Sequence, residues 1–220
     1  MGKLSASILA ADLARLGSQV KLVEPYAEAI HIDIMDGHFV PPIALGEVVV
    51  ASLRPVTELL LHGHLMVDAP ESHFDALAEA GLDMVSFHLE AVGDAAPAIR
   101  KARGAGLGVG LTINQETAVA ELYPYLDQVD DVMLMSIRPG WSGQQLNPDV
   151  YPRLQSVRDE IDRRGLAIDL EVDGGVKLEN AKRAIEAGAT VLVSASGVFR
   201  QTDPAAAAKA LAAVAHGEAA

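Results

Sequence analysis

Short apolar runs alternate along the chain with longer segments whose apolar residues recur at helical spacing. Strands that are apolar throughout and are separated by helices are typical of a parallel sheet covered on both faces. The predicted strands are Leu4–Leu9, Ala29–Asp33, Leu59–His64, Met84–His88, Gly108–Thr112, Asp131–Met135, Ala167–Asp173 and Thr190–Val193. The predicted helices include Leu13–Val23, His73–Ala80, Pro97–Ala105, Pro152–Arg163, Leu178–Ala187 and Pro204–Val214.

Eight strand–helix units in a chain of 220 residues fit a closed (β/α)8 TIM barrel, and we expect residues 1–220 to form one such domain. An open doubly wound sheet is the structural alternative. It usually needs fewer strands, and no G-x-G-x-x-G fingerprint follows the first predicted strand. The pattern therefore favours the barrel.

Composition and charge narrow the classes of function. The chain is 50% hydrophobic and has no cysteine, so it can bury a sizeable core but has no disulfides or thiolate ligands. Its formal net charge of −13 argues against nucleic acid as a partner, although backbone N–H groups can still hold one small phosphate. No apolar run is long enough to cross a membrane and no signal-peptide pattern is seen, so a cytoplasmic location is expected.

Polar side chains stand at the ends of three predicted strands, where barrel enzymes place their reacting groups. The second strand ends in His31-Ile32-Asp33, the third in His62-Gly63-His64 and the seventh in Glu171-Val172-Asp173. Residues two apart on a strand share a face, and polar groups facing a barrel axis need hydrogen bonds or a metal. Two histidines and two carboxylates form a set suited to a divalent transition metal: His31, Asp33, His64 and Asp173.

Each of these residues, taken singly, also has a structural interpretation. His62 is better explained as a hydrogen-bonded interior histidine than as a ligand. Glu171, one layer below Asp173, fits a group that only orients a ligand. His31 and Asp33 could form a buried hydrogen-bonded pair. The gathering of all four candidates at strand ends of one barrel nevertheless favours the functional interpretation.

The proposed cluster suggests proton transfer. Asp33 and Asp173 come from strands three steps apart in a ring of eight, so we expect them to flank a ligand. Carboxylates on two sides suit removal of a proton from one face of a carbon and delivery to the other, while a metal stabilises charge on the neighbouring oxygen. Gly174-Gly175 and Ser196-Gly197 follow the last two strands, where barrels commonly bind phosphate, although Gly-Gly also serves ordinary turns.

Further sequence blocks follow one another in a specific order. The most specific is His31-Ile32-Asp33-Ile34-Met35-Asp36-Gly37-His38-Phe39-Val40-Pro41. The others are Ser7-Ile8-Leu9 with Asp12, His64-Leu65-Met66, His88-Leu89-Glu90-Ala91, Met135-Ser136, Pro139-Gly140 with Gly143-Gln144, and Glu171-Val172-Asp173-Gly174-Gly175. In order and spacing, over nearly the whole chain, these blocks resemble the ribulose-phosphate 3-epimerase family.

The resemblance implies a (β/α)8 barrel that interconverts D-ribulose 5-phosphate and D-xylulose 5-phosphate through a metal-stabilised enediolate. It implies a divalent ion on His31, Asp33, His64 and Asp173, with zinc favoured over iron, manganese or cobalt. Asp33 and Asp173 would be the acid–base residues, the Gly140–Gln144 loop would close over the sugar phosphate, and a homo-oligomer is expected. Substrate contacts are expected of Ser7, His64, Met35, Met66, Met135, Gly140, Gly143, Gly174, Gly175, Ser196 and Gly197.

Several positions depart from the family pattern without removing an expected ligand or acid–base residue. Arg138 could contact a phosphate or could lie in solvent, and a solvated or structural role is favoured. Ala195 would be strained only if its position required a positive φ. The departures are Pro42, His62, Gln115, Arg138, Trp141, Ser142 and Ala195.

These departures leave the substrate open. Ketohexose 6-phosphate 3-epimerases, such as the allulose 6-phosphate enzyme, resemble this chain at the same blocks. A barrel that binds metal without turnover, as a sensor or assembly component, is disfavoured by the intact Asp33 and Asp173. A metal-dependent aldolase shares the barrel and metal chemistry, but no lysine ends a predicted strand to form a Schiff base.

Overall fold

The computed structural model describes residues 2–218, which build a ring of eight parallel strands. The first strand pairs in parallel with both the second and the last, and this closes the ring. The predicted (β/α)8 barrel is therefore confirmed. The strands are β1 (Lys3–Ser7), β2 (Ala29–Asp36), β3 (Leu60–Met66), β4 (Met84–His88), β5 (Gly108–Ile113), β6 (Asp131–Met135), β7 (Asp169–Asp173) and β8 (Val191–Ser194).

Helices cover the outside of the ring. They are α1 (Leu16–Val23), α2 (Glu47–Leu53), α3 (Phe74–Glu79), α4 (Ala95–Gly104), α5 (Val150–Arg164), α6 (Leu178–Glu186), α7 (Ser196–Phe199) and α8 (Pro204–His216). A 3-10 segment, Val119–Tyr125, takes the place of an α-helix between β5 and β6. Within residues 2–218, none of the helices has the length and apolar character that a membrane crossing requires.

Local sequence explains where these helices begin and end. The Asp94 carboxylate accepts a hydrogen bond from the Ala96 N–H at the start of α4, and Asp203 caps α8 in the same way, directly before Pro204. Gly165 ends α5 with φ of 65°, a left-handed conformation that costs glycine little.

The predicted strand bounds differ from the observed ones mainly at the carboxyl ends. The first strand stops at Ser7 instead of Leu9, because the Ser7 hydroxyl caps a 3-10 turn over Ile8–Ala10. The second continues past Asp33 to Asp36 and pairs with a two-residue antiparallel strand, Ile43–Ala44. The predicted helix Leu13–Val23 is divided into a 3-10 turn, Leu13–Arg15, and α1.

The strands separate an apolar layer from a polar one. Residues such as Ile30, Ile32 and Leu61 point outward into the main hydrophobic core beneath the helices. Their neighbours point inward and include buried polar side chains, in agreement with the alternation of a strand. Register sets the inward residues side by side: His31 pairs with His62, and Asp33 with His64. The buried inward polar residues of the first four strands are Ser5, Ser7, His31, Asp33, His62, His64, Ser86 and His88.

We predict that Gly110→Ala lowers the free energy of unfolding by about 1–3 kcal/mol, the usual cost of overpacking a core. A methyl group at Gly110, on β5, would overlap the hydroxyl of Ser86 and the carboxylate of Asp131 inside the barrel. Urea unfolding measures the effect, and the control is Gly104→Ala, on the exposed end of α4 with no atom near the added carbon. Equal stability of Gly110→Ala and wild type would contradict this packing.

Candidate functional site

A cavity opens at the carboxyl ends of the strands. Its floor is formed by strand ends and its wall by the loops after β6, β7 and β8. Most of the predicted site residues line it: Ser7, Asp33, Met35, Met66, Met135, Gly140, Gly143, Asp173, Gly174, Gly175 and Ser196. The cavity is thus located where barrel enzymes carry their reacting groups.

Two histidines and two aspartates converge just below the cavity: Asp33 and Asp173 line it, whereas the rings of His31 and His64 are fully buried and are not part of its lining. The Nε2 of His31 lies 3.5 Å from Asp33 Oδ1 and 3.9 Å from Asp173 Oδ2. The Nδ1 of His64 lies 3.3 Å from the same Asp33 oxygen and 3.6 Å from the same Asp173 oxygen. One ligand atom from each of the four side chains lies within 4.8 Å of all the others.

The donor set and its surroundings fit a divalent metal ion. Both ring nitrogens of His31 are buried, and neither has a hydrogen-bond partner among the described residues. Buried polar atoms are almost always paired, so the unpartnered Nε2 of His31, which faces both aspartates, points to a ligand that the protein is built to hold. Two imidazole nitrogens with two carboxylate oxygens match the preferences of zinc and of its first-row neighbours.

Burial and close charges separate the proton affinities of the two aspartates. Burial raises the pKa of Asp173 to about 7, and the nearby carboxylates of Asp33 and Glu171 add to the rise although His31 opposes it. Asp33 is more deeply buried, yet its contacts with His31 and His64 hold its pKa well below the usual range. Burial lowers the pKa of His64 to about 3, whereas the neighbouring carboxylates outweigh burial and raise that of His31 to about 9.

Ser7 and three methionines complete the floor. The Ser7 hydroxyl donates a hydrogen bond of 2.6 Å to Asp33 Oδ2, the oxygen that does not face the histidines. Met35 and Met66 pack with Val40 in a small cluster of their own, separate from the main core. Met135 is also buried and lines the cavity. The three thioethers therefore form a soft, polarizable surface around the carboxylates.

The loops after β7 and β8 form the far wall of the cavity. Gly174 and Gly175 have φ of 108° and 67°, a region that side chains disfavour, so both positions require glycine. Ala195 has φ of −98°, so alanine is unstrained there. Gly197 does not line the cavity: it lies behind Ser196, against Ser194 and Val176.

The loop between β6 and α5 lies over the cavity. Gly140 and Gly143 have φ of 112° and 87°, and the Gln144 side-chain amide donates to the carbonyls of Arg138 and Trp141 at 2.9 and 3.0 Å. This amide ties the loop into a compact turn. Trp141 and Ser142 both face the cavity, whereas Arg138 lies in an adjacent cleft with Glu116.

A second polar layer lies beneath the cluster. The Nε2 of His62 is 2.7 Å from the Ser86 hydroxyl, which donates to Asp131 Oδ2 at 3.0 Å. The other ring nitrogen of His62 lies 3.5 Å from Glu171 Oε1. His62 is thus a paired interior histidine, as the sequence suggested, although it also lies close enough to His31 and Glu171 for the three to form a second possible ligand group.

Sequence reasoning did not assign several of the residues that line the cavity. Trp141 and Ser142 belong to the Gly140–Gln144 loop expected to cover the substrate, but individually they, like Ala195, are predicted only as departures from the family pattern. Apolar residues such as Leu9 and Val193 carry no chemical signature. Only position could have indicated them: Leu9 lies two residues after Ser7, and Val193 pairs with Asp173 in the sheet. The remaining unassigned lining residues are Ile137, Pro139 and Val176.

The fold and the site together define a barrel enzyme whose titratable groups converge at the carboxyl ends of its strands. Residues 3–199 match the model of the ribulose-phosphate 3 epimerase family, and the chain belongs to this isomerase family. The chain is 42% identical to "Ribulose-phosphate 3-epimerase" of Bacillus subtilis, over 92% of this chain and 94% of that protein. It is 39% identical to the protein of the same name from Synechocystis, over 89% of this chain and 86% of that one.

Solved structures with low sequence identity share the fold. KGPDC from Streptococcus mutans aligns with a TM-score of 0.72 at 16% identity, covering 99% of this chain and 98% of that one. Orotidine 5'-phosphate decarboxylase from Pyrococcus horikoshii aligns with a TM-score of 0.69 at 17% identity, covering 97% and 99% of the two chains. At this identity the likeness supports the barrel architecture alone.

We predict that His62→Leu lowers the free energy of unfolding by about 3–5 kcal/mol, because it leaves the buried Glu171 carboxylate without its partner. Denaturant unfolding measures the effect. The matched control is His38→Leu, in which the replaced side chain is 77% exposed and the change should stay within about 0.5 kcal/mol. If both variants unfold at the wild-type midpoint, the interior pairing of His62 contributes nothing to stability.

Proposed function

We propose that the protein epimerises C3 of a ketose phosphate and that its substrate pair is D-ribulose 5-phosphate and D-xylulose 5-phosphate. The observation that carries the proposal is the placement of two carboxylates, Asp33 and Asp173, on the floor of one cavity and against the same two histidines. The names of the curated relatives, which are 38–42% identical to this chain, support the choice of a pentulose phosphate.

The two aspartates are suited to opposite halves of one proton transfer. Epimerisation requires a base that removes the C3 proton from one face and an acid that returns a proton to the other face. Asp33 stands on β2 and Asp173 on β7, so they approach the cavity from different sides of the ring. The Ser7 hydroxyl holds the outer oxygen of Asp33 in place, which fixes the angle at which that carboxyl meets the sugar.

His31, Asp33, His64 and Asp173 would hold a divalent cation, and zinc is the ion we favour from this donor set. When bound, the cation supplies Lewis-acid stabilisation of the negative charge that develops on the sugar oxygens. The methionines Met35, Met66 and Met135 would contact the planar, electron-rich sugar skeleton and keep water from it.

Phosphate binding is assigned to the loops after β7 and β8. Gly174, Gly175 and Ser196 line the cavity there, and glycines let the backbone approach an anion closely. Gly197 would act indirectly, because it lets α7 pack against Val176 and so positions Ser196. The Gly140–Gln144 loop, with Trp141 and Ser142, would cover the bound substrate and exclude water.

An NMR assay in D₂O tests the reaction and the substrate together. We expect metal-loaded protein to exchange the C3 proton of ribulose 5-phosphate without cleaving the chain, and kcat/KM to favour it over ketohexose 6-phosphates. Chelation should abolish the exchange, and a divalent ion should restore it. Full activity after exhaustive chelation would remove the metal from the proposal, and a preference for the hexulose would reassign the substrate.

We predict that Asp33→Asn and Asp173→Asn each lower kcat by roughly 100- to 10,000-fold, the usual range for an acid–base residue. Each variant should also lose C3 exchange with only one of the two epimers, because each aspartate serves one face. Metal content, measured in parallel, separates loss of the base from loss of the ion. Asp127→Asn, on the surface, is the control. A kcat near wild type in either active-site variant would refute the two-base scheme.

A further inference from the structure

His64 makes contacts through both of its ring nitrogens. Its Nδ1 faces Asp33 and Asp173 in the cluster, at 3.3 and 3.6 Å. Its Nε2 lies on the opposite side of the ring, 2.9 Å from the Nε2 of His88. In this contact one of the two Nε2 atoms must carry the proton and donate it, and the other must accept. Whether His88 Nε2 carries a proton therefore determines whether His64 Nε2 does.

His88 ends β4 and is held on its other side by Glu90. The ring of His88 is fully buried, and its Nδ1 lies 3.3 Å from Glu90 Oε2. The other carboxylate oxygen, Oε1, accepts the Asn114 N–H at 2.7 Å and the hydroxyl of Thr117. Burial raises the pKa of Glu90, but hydrogen bonds with His88, the Thr117 hydroxyl and the Asn114 N–H outweigh it and lower that pKa to about 2. Glu90 therefore accepts hydrogen bonds and donates none.

The donors and acceptors can then be assigned one after another. Because Glu90 only accepts, the Nδ1 of His88 donates to it. A neutral His88 then has a lone pair on Nε2, and the Nε2–H of His64 donates to that lone pair. The Nδ1 of His64 is left without a proton, so its lone pair points at Asp33 and Asp173, which is the form that a metal ligand requires.

We propose that Glu90 and His88 are positioning residues that fix the tautomer of His64 and present its Nδ1 lone pair to the metal cluster. The role rests on the proposed function insofar as it assumes a metal ion on His64. Phe39 contributes by packing its ring against that of His88, with centroids 4.7 Å apart, which holds the His88 ring in the orientation that both contacts need.

The opposite assignment is the competing possibility and is directly testable. In that case His88 carries a positive charge and donates through both nitrogens, while the Nδ1–H of His64 donates to Asp33. It would place an imidazolium in a fully buried position, which is costly when its only carboxylate contact within residues 2–218 is at 3.3 Å.

The first experiment reads the tautomers in wild-type protein freed of metal. Nitrogen-15 NMR of labelled histidine distinguishes a protonated Nδ1 from a protonated Nε2, and the His64 resonances are assigned by their loss in His64→Gln. We expect His64 to be protonated on Nε2 and His88 on Nδ1. Protonation of His64 on Nδ1 would overturn the proposal.

The second experiment measures the dissociation constant of Zn²⁺ by competition with a chromogenic chelator. In Glu90→Gln an amide N–H₂ must face either His88 or the Asn114 N–H. If the amide N–H₂ faces His88, it donates to His88 Nδ1, and the His88 proton moves to Nε2. His64 must then accept on Nε2 and carry its own proton on Nδ1. We expect this variant and His88→Phe to bind Zn²⁺ about 10- to 100-fold more weakly. Equal affinity of both variants and wild type would overturn the proposal.

Two matched variants separate the hydrogen-bonded relay from Glu90 through His88 to His64, hereafter the relay, from general effects of mutation. His88→Gln can still offer a carbonyl oxygen to His64 and should recover most of the affinity that His88→Phe loses. Glu121→Gln makes the same chemical change as Glu90→Gln at an exposed position and should bind Zn²⁺ as wild type does. A weakening in His88→Gln as large as in His88→Phe would contradict the hydrogen-bonded relay.

The relay and the proposed function fail in different assays. If the protein epimerises no ketose phosphate, the chelator competition still measures how Glu90 and His88 act on Zn²⁺ binding. If wild-type affinity persists in Glu90→Gln and His88→Phe while Asp33→Asn is inactive, the epimerase proposal stands and the relay is discarded.

Discussion

The structure depends on one constraint: polar side chains that point into a parallel barrel must be paired, because no bulk water reaches them. The inward positions of β2, β3 and β7 carry histidines and acids where a barrel commonly carries branched apolar residues. Each of these groups would be costly alone. In the barrel these polar groups lie in two layers, so that they contact one another instead of apolar side chains. His62 and Glu171 pair with each other in the lower layer, and the upper layer turns its remaining ligand atoms toward one point. At that point the ring nitrogens of His31 have no hydrogen-bond partner among the described residues, and a few atoms of the lower layer, such as Glu171 Oε2 and Asp131 Oδ1, are also without one.

Much of this arrangement was predictable from the chain. The spacing of His31 and Asp33 fixes their common face, and strand order fixes which edge of the barrel they share with His64 and Asp173. The bounds of β4 and β6 were predicted to the residue, because both runs are apolar and end at a change of composition. Register, backbone angles and ring orientation could not be predicted, since they depend on contacts between residues far apart in sequence. The unstrained φ of Ala195 and the contact of His64 with His88 are of this kind.

The departures from the family pattern divide into two groups according to their place in the structure. Trp141, Ser142 and Ala195 line the cavity on the side opposite the histidines, where a substrate's distal end would lie. His62 lies beneath the cluster, and the other departures, Pro42, Gln115 and Arg138, do not line the cavity. No substituted position supplies one of the four converging ligand atoms. Under the proposed function, strand ends would carry the chemistry and loops the choice of sugar, so the two could vary independently.

The two histidines of the cluster are supported in different ways, and this difference follows from the strands on which they stand. His31 is surrounded by carboxylates, with Asp33 and Asp173 near its Nε2 and Glu171 below. The protonation of His31 therefore depends on the charges of these three carboxylates. His64 instead faces β4, where His88 extends the hydrogen-bonded path to Glu90 and to the loop after β5. A ligand that must keep one nitrogen free of a proton gains more from a directional hydrogen bond than from a nearby charge, because only the hydrogen bond selects between tautomers.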